Sequence, residues 1–125
     1  MCSLDIKSLF TNIPLQETID LLTNRIFHSR SHFHNLDRTT FSILLSLATS
    51  DTYFIHKDSI YKQIDGVAMG SPLGPILADF FVSHLEGIYL SSSAPTSVPS
   101  FYKRYVDDIF CLFHSVHSAN SFPPT

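Results

Sequence analysis

The chain has no tryptophan, only two cysteines and four glycines, and charged side chains make up just 15% of its 125 residues. Two thiols are too few for a disulfide framework or a thiolate metal site, so Cys2 and Cys111 read as reduced, intracellular thiols. Positive charge is scarce as well: eight Lys and Arg against eleven Asp and Glu give a formal net charge of −3. That balance argues against a free-standing nucleic-acid binder, because phosphate backbones are gripped mainly by Lys and Arg. A polyanionic partner would need metal ions or basic segments from elsewhere. No apolar run approaches the ~20 residues of a membrane span, and no basic N-terminal region precedes an apolar core. We therefore expect an intracellular protein, nuclear or cytoplasmic, with no signal peptide, no transmembrane segment and no membrane partner. Hydrophobic residues at 44% are enough for a globular core, and the length predicts about one domain.

Hydrophobic spacing predicts mixed elements. Cys2 to Phe10 reads as a short strand, and Pro14 then suits the start of a helix carrying Leu15, Ile19, Leu22 and Ile26. The polar stretch 28–35 reads as a loop, after which Asp37 can cap a second helix ending near Ser50. Two β-rich runs around His56-Lys57-Asp58 predict a hairpin, and Gly66 to Gly74 a glycine-punctuated turn. A third, very apolar helix is expected from Pro75 to about Leu90, then a Ser/Pro-rich connector over 91–100. Two strands flanking an acidic turn follow, and the tail 115–125 is expected to be disordered. Without a regular βαβ alternation, the fold class is α+β with an antiparallel sheet.

The acidic turn is Tyr105-Val106-Asp107-Asp108, set between apolar runs. Ionised carboxylates beside an apolar interior neutralise unless they are paired, hydrogen-bonded or coordinated to a cation. A lone Asp-Asp between strands also has a purely structural reading, since Asp forms turns readily. If the first strand pairs with the final hairpin, however, Asp5 joins Asp107 and Asp108. Such a trio suits two Mg²⁺ ions ~3.5–4 Å apart, the arrangement that serves phosphoryl transfer.

Leu4-Asp5-Ile6-Lys7-Ser8-Leu9-Phe10-Thr11-Asn12-Ile13-Pro14, Asp65-Gly66-Val67-Ala68-Met69-Gly70-Ser71-Pro72-Leu73-Gly74-Pro75 and Arg104-Tyr105-Val106-Asp107-Asp108 resemble, in order and spacing, the three central palm motifs of reverse transcriptases. The wording is most similar to that of Penelope-like retroelements. The resemblance implies a polymerase palm with part of the fingers, an antiparallel palm-type sheet with helices packed on one face, over residues 1–114. It assigns Asp5 and Asp107 as metal ligands, Asp108 as the accompanying acid and the Ile6 carbonyl as a further ligand to Mg²⁺. It also gives nucleotide or template contacts to Phe10, Met69, Gly70 and Tyr105. Phe10 matches the bulky position that excludes a 2′-hydroxyl from the incoming sugar, although a plain core role fits that residue equally well. Gly74 departs from the serine common in the family and leaves the next helix with a poorer cap.

The implied partners are an RNA template, a DNA primer and a deoxynucleoside triphosphate. Basic fingers and a thumb have no counterpart in the sequence, so it reads as a fragment of a longer chain, with little polymerase activity expected from the isolated segment. Rival readings are an inactive retroelement remnant or interaction module, and a metal-dependent phosphodiesterase. His28, His32 and His34 lack a fourth ligand at familiar spacing and read as solvated. Lys103 and Arg104 suit either a primer phosphate or local charge balance.

Overall fold

In the computed structural model, which describes residues 1–92 and 98–122, strand β1 (Cys2–Asp5) is shorter than the run to Phe10 that alternation suggests. Ser8 takes a left-handed φ of 52°, which no strand continues through, and Leu9–Asn12 closes into a one-turn helix, α1. Helix α2 (Leu15–Ile26) starts directly after Pro14, as expected. Pro14 offers no side-chain cap, and a distant residue supplies one: the Leu15 N–H donates to Asp65 Oδ1 at 3.1 Å. The buried face of α2 holds Thr18, Ile19 and Thr23, and the Thr18 hydroxyl donates back to the Pro14 carbonyl at 2.7 Å.

The polar stretch expected to be a loop contains a small hairpin, β2 (His32–Phe33) and β3 (Leu36–Asp37). Its two central residues, His34 and Asn35, both have positive φ, 48° and 63°, as a type I′ turn requires. Phe33 meets Phe41 edge-on at 5.8 Å, and Phe41 meets Phe27 at 5.6 Å, which ties the hairpin and the next helix to the end of α2. That helix, α3 (Arg38–Ser50), has the expected cap: Asp37 accepts from the Thr40 N–H at 2.8 Å. Strands β4 (Tyr53–His56) and β5 (Ser59–Lys62) form the expected hairpin around Lys57 and Asp58, with φ of 47° and 62°.

Helix α4 (Leu73–Ser92) begins two residues before Pro75. The Ser71 hydroxyl accepts from the Leu73 N–H at 3.3 Å, so serine rather than the residue at position 74 supplies the cap. Gly74 is explained by packing: a Cβ there would overlap the Ala68 carbonyl. Part of the expected connector, 93–97, lies outside the described residues. Strands β6 (Phe101–Tyr105) and β7 (Asp108–Leu112) follow, then α5 (Val116–Ser121). Helix α5 lies within the tail expected to be disordered, of which 123–125 are outside the described residues. Ser115 caps it by accepting from the Ser118 N–H at 3.1 Å, and Phe122 anchors its end, 8% exposed, against the rings of Tyr89 and Phe113.

The chain divides into two compact units, Met1–Leu9 with Val82–Thr125, and Phe10–Phe81. In the first, β1 pairs antiparallel with β7, and β7 with β6, in the order β1-β7-β6. Ile109 and Cys111 of β7 are buried and alternate with outward-facing Asp108, Phe110 and Leu112. In the second, Ile13, Ile19, Val67, Leu77 and Ala78 form the most buried apolar set. Helices and antiparallel hairpins together make the α+β class expected. Among the described residues no helix is long and apolar enough to cross a membrane.

Candidate active site

In the first unit the sheet register brings two of the three acids opposite each other. Asp5, the last residue of β1, lies directly opposite Asp108, the first of β7, and Asp108 lies opposite Tyr105, the last of β6. Directly opposed residues share a face, so Asp5, Asp108 and Tyr105 form one row on the exposed side of the sheet. Asp107 stands in the intervening two-residue turn with Val106. Its carbonyl accepts from the Ile6 N–H at 2.9 Å, so the chain just beyond β1 is fastened to the turn itself. The neighbouring row holds Ser3, Phe110 and Lys103.

The turn is strained. Val106 has φ 57° while Asp107 does not share the positive sign, the pattern of a type II′ turn whose first central position favours glycine. A β-branched residue there costs of order 1–3 kcal/mol and persists only where surrounding structure holds it.

The neighbours of the turn supply that hold. Alternation along β6 sends Tyr102 and Arg104 to the inner face, where α4 presents Ser83 and Glu86 one turn apart. Arg104 Nε meets Glu86 Oε1 at 2.6 Å, and Nη2 meets Glu86 Oε2 at 3.4 Å and the Ser83 hydroxyl at 3.0 Å. Nη1 donates to the Val106 carbonyl at 3.0 Å. The Tyr102 hydroxyl donates to the same Glu86 oxygen at 2.5 Å. Burial, and then the Glu86 carboxylate, push the Tyr102 phenol well up, so it stays a protonated donor. Of the two roles open to Arg104, the structure selects charge balance: its side chain is 7% exposed and turned toward Glu86. Sequence reasoning missed Glu86 and Tyr102. The available signal was a lone glutamate in the most apolar helix.

Among the described residues, no side-chain hydrogen bond or ion pair engages the carboxylates of Asp5, Asp107 or Asp108. Asp5 and Asp108, opposite each other on one face, supply two carboxylates of the kind a hard cation takes. No three His, Cys, Asp or Glu among the described residues form a group that could hold a metal ion. Any ion bound there would have to take most of its ligands from water or from substrate phosphate oxygens. His28, His32 and His34 are all exposed.

The remaining sequence-derived positions lie in the second unit. Phe10 is half-buried in α1, and Met69 and Gly70 are exposed ahead of α4. Gly66 has φ 79°, and a Cβ there would fall 2.8 Å from the Thr11 carbonyl oxygen and 2.9 Å from that of Phe10. The Val67 N–H donates to the Phe10 carbonyl at 2.7 Å, so the second motif packs backbone to backbone on the end of the first. Asp65 opens that motif as a local organiser: hydrogen bonds from Leu15 and Gly66 hold its carboxyl below the usual carboxylate range. At Gly70 an added Cβ would meet nothing, so the chain's own packing places no demand for glycine there.

A search of curated proteins found no match. The family model described as reverse transcriptase (RNA-dependent DNA polymerase) matches residues 1–121, nearly the whole chain. That family generally uses a divalent metal and acts on a nucleic-acid template and primer. With its acid row, its strained Tyr-Val-Asp-Asp turn and this match, the chain belongs to the reverse transcriptase (RNA-dependent DNA polymerase) family.

Proposed function

We propose that this chain forms the palm portion of a retroelement reverse transcriptase of the Penelope-like kind. In the complete enzyme, Asp5, Asp107 and Asp108, with the Ile6 carbonyl, would hold two Mg²⁺ ions. The substrates are an RNA template, a DNA primer and a deoxynucleoside triphosphate. Such ions would supply activation of the primer 3′-hydroxyl and charge compensation for the triphosphate. The observation that carries the reading is the register of Asp5 opposite Asp108 on an exposed face, next to a turn that presents Asp107.

The chain's own residues orient and exclude. Phe10 would press on the sugar of the incoming nucleotide and reject a 2′-hydroxyl. Gly70, where no protein atom competes for the space of a side chain, would let backbone approach the nucleotide, beside Met69. Tyr105 is 81% exposed in the acid row, and Lys103 in the next row would meet primer phosphates. Basic segments that grip the triphosphate and the duplex would come from other parts of the enzyme or from a partner chain.

Manganese titration of the purified chain, followed by electron paramagnetic resonance, tests the site without requiring turnover. Asp5→Asn and Asp107→Asn should each weaken binding at least ~10-fold. In an enzyme carrying this segment, Asp107→Asn should lower primer extension roughly 10²–10³-fold, the usual cost of one electrostatic contributor. Unchanged manganese affinity in both variants would sink the reading.

A further inference from the structure

We propose that Glu86 and Arg104 are positioning residues: Glu86 on α4 fixes the Arg104 guanidinium, and Arg104 holds the strained Val106 carbonyl, setting where Asp107 and Asp108 stand. The inference rests on the reading of the acid row as a metal-dependent nucleotidyl-transfer site and names what controls its geometry.

A guanidinium 7% exposed cannot be left uncompensated, and the Glu86 side chain, 19% exposed, meets it with both oxygens. The fork is planar and rigid, so once Nε and Nη2 are engaged by Glu86 and Ser83 the remaining nitrogen has a fixed direction. That direction ends on Val106, at 3.0 Å. The bond reaches a residue whose φ of 57° disfavours its β-branched side chain, so without the bond the turn has reason to relax. Relaxation there rotates the Val106–Asp107 peptide, and Asp107 is the next residue. A shift of ~1 Å in a reacting group costs on the order of 10²-fold in rate. Tyr102 completes the set by donating to Glu86 Oε1, which keeps that carboxylate turned inward. A pair serving only to pack α4 against the sheet would have no need to reach the turn carbonyl.

Two readouts on the full chain separate positioning from general stability. The Ile6 amide, which donates to the Asp107 carbonyl at 2.9 Å, reports the turn, and the Ser100 amide, which donates to the Leu112 carbonyl at 2.8 Å, reports the far end of the same hairpin. In Glu86→Gln and in Arg104→Lys, hydrogen exchange at Ile6 should quicken ~10-fold with Ser100 unchanged, a local opening rather than a global one. Manganese affinity should fall about 10–100-fold, the usual effect of removing a group that orients a ligand. Equal acceleration at both amides would mean the pair only holds the hairpin together, and no acceleration at Ile6 would mean it does not hold the turn; either overturns the proposal. Glu86→Gln keeps an acceptor for Tyr102 and Arg104, so it carries the test if Arg104→Lys fails to fold. If manganese affinity is unchanged in both Asp5→Asn and Asp107→Asn, the site reading fails, while Ile6 exchange still decides whether the clamp exists.

Discussion

Val106 occupies a conformation that its side chain disfavours, φ 57° at the first central position of the acidic turn. Replacing it with glycine removes strain of order 1–3 kcal/mol, against ~0.5–1 kcal/mol for the greater freedom of unfolded glycine. Val106→Gly should therefore stabilise the chain by about 1 kcal/mol, read as a higher urea midpoint at unchanged slope. Gly66 predicts the opposite. Its φ of 79° and the Thr11 and Phe10 carbonyls beside it leave no place for a Cβ, so Gly66→Ala should destabilise by roughly 2 kcal/mol or more in the same measurement. The sequence showed Gly66 and Gly74 as punctuation, but the reason for each, a carbonyl from another segment, depends on the packed chain. Arg104 was ambiguous between phosphate contact and charge balance for the same cause. Strand alternation puts it on one face, yet only the position of Glu86 says which partner waits there.

Helices whose signals are local were legible: Asp37 caps α3, and the apolar spacing after Pro14 marks α2. The cap of α2 was not legible, because Asp65 stands fifty residues away from Leu15. Asp65→Ala should cost about 1 kcal/mol of stability, as loss of a helix cap does. Both Asp37 and Asp65 have carboxyls lowered by the backbone N–H groups they accept from, those of Thr40 and Leu15 first. A folded-state pKa below the unfolded value gives stability that is complete above the unfolded pKa of ~3.9 and is lost as pH falls through the folded value. Thermal midpoints should therefore decline below about pH 4, and the decline should be shallower in Asp65→Asn, which cannot titrate. The β2–β3 hairpin and α5 escaped the sequence because two-residue strands and a six-residue helix have no periodicity to detect. His34 and Asn35 at positive φ, and Ser115 as a cap, carry these elements.

At the scale of the whole chain, the pairing of β1 with β7 joins the first strand to the last hairpin and makes β7 the central strand. Removing residues 1–8 would open the edge of β7, with exposed Phe110 and Leu112 beside it. The shortened chain should self-associate, as unprotected edges do, and sedimentation velocity should find species above monomer that the full chain lacks. Composition and local order determined much by themselves: an α+β class, the cap of α3, the span of α2, the three motifs and their sequence. These depend on neighbours within a few residues, where backbone preference and side-chain period act directly. Tertiary structure alone decided that Asp5 faces Asp108, that Asp65 caps a distant helix, and that Arg104 turns inward to Glu86 and the Val106 carbonyl. Each of these is a contact between segments remote in sequence, so it exists only once the sheet register and the burial of one face have been set.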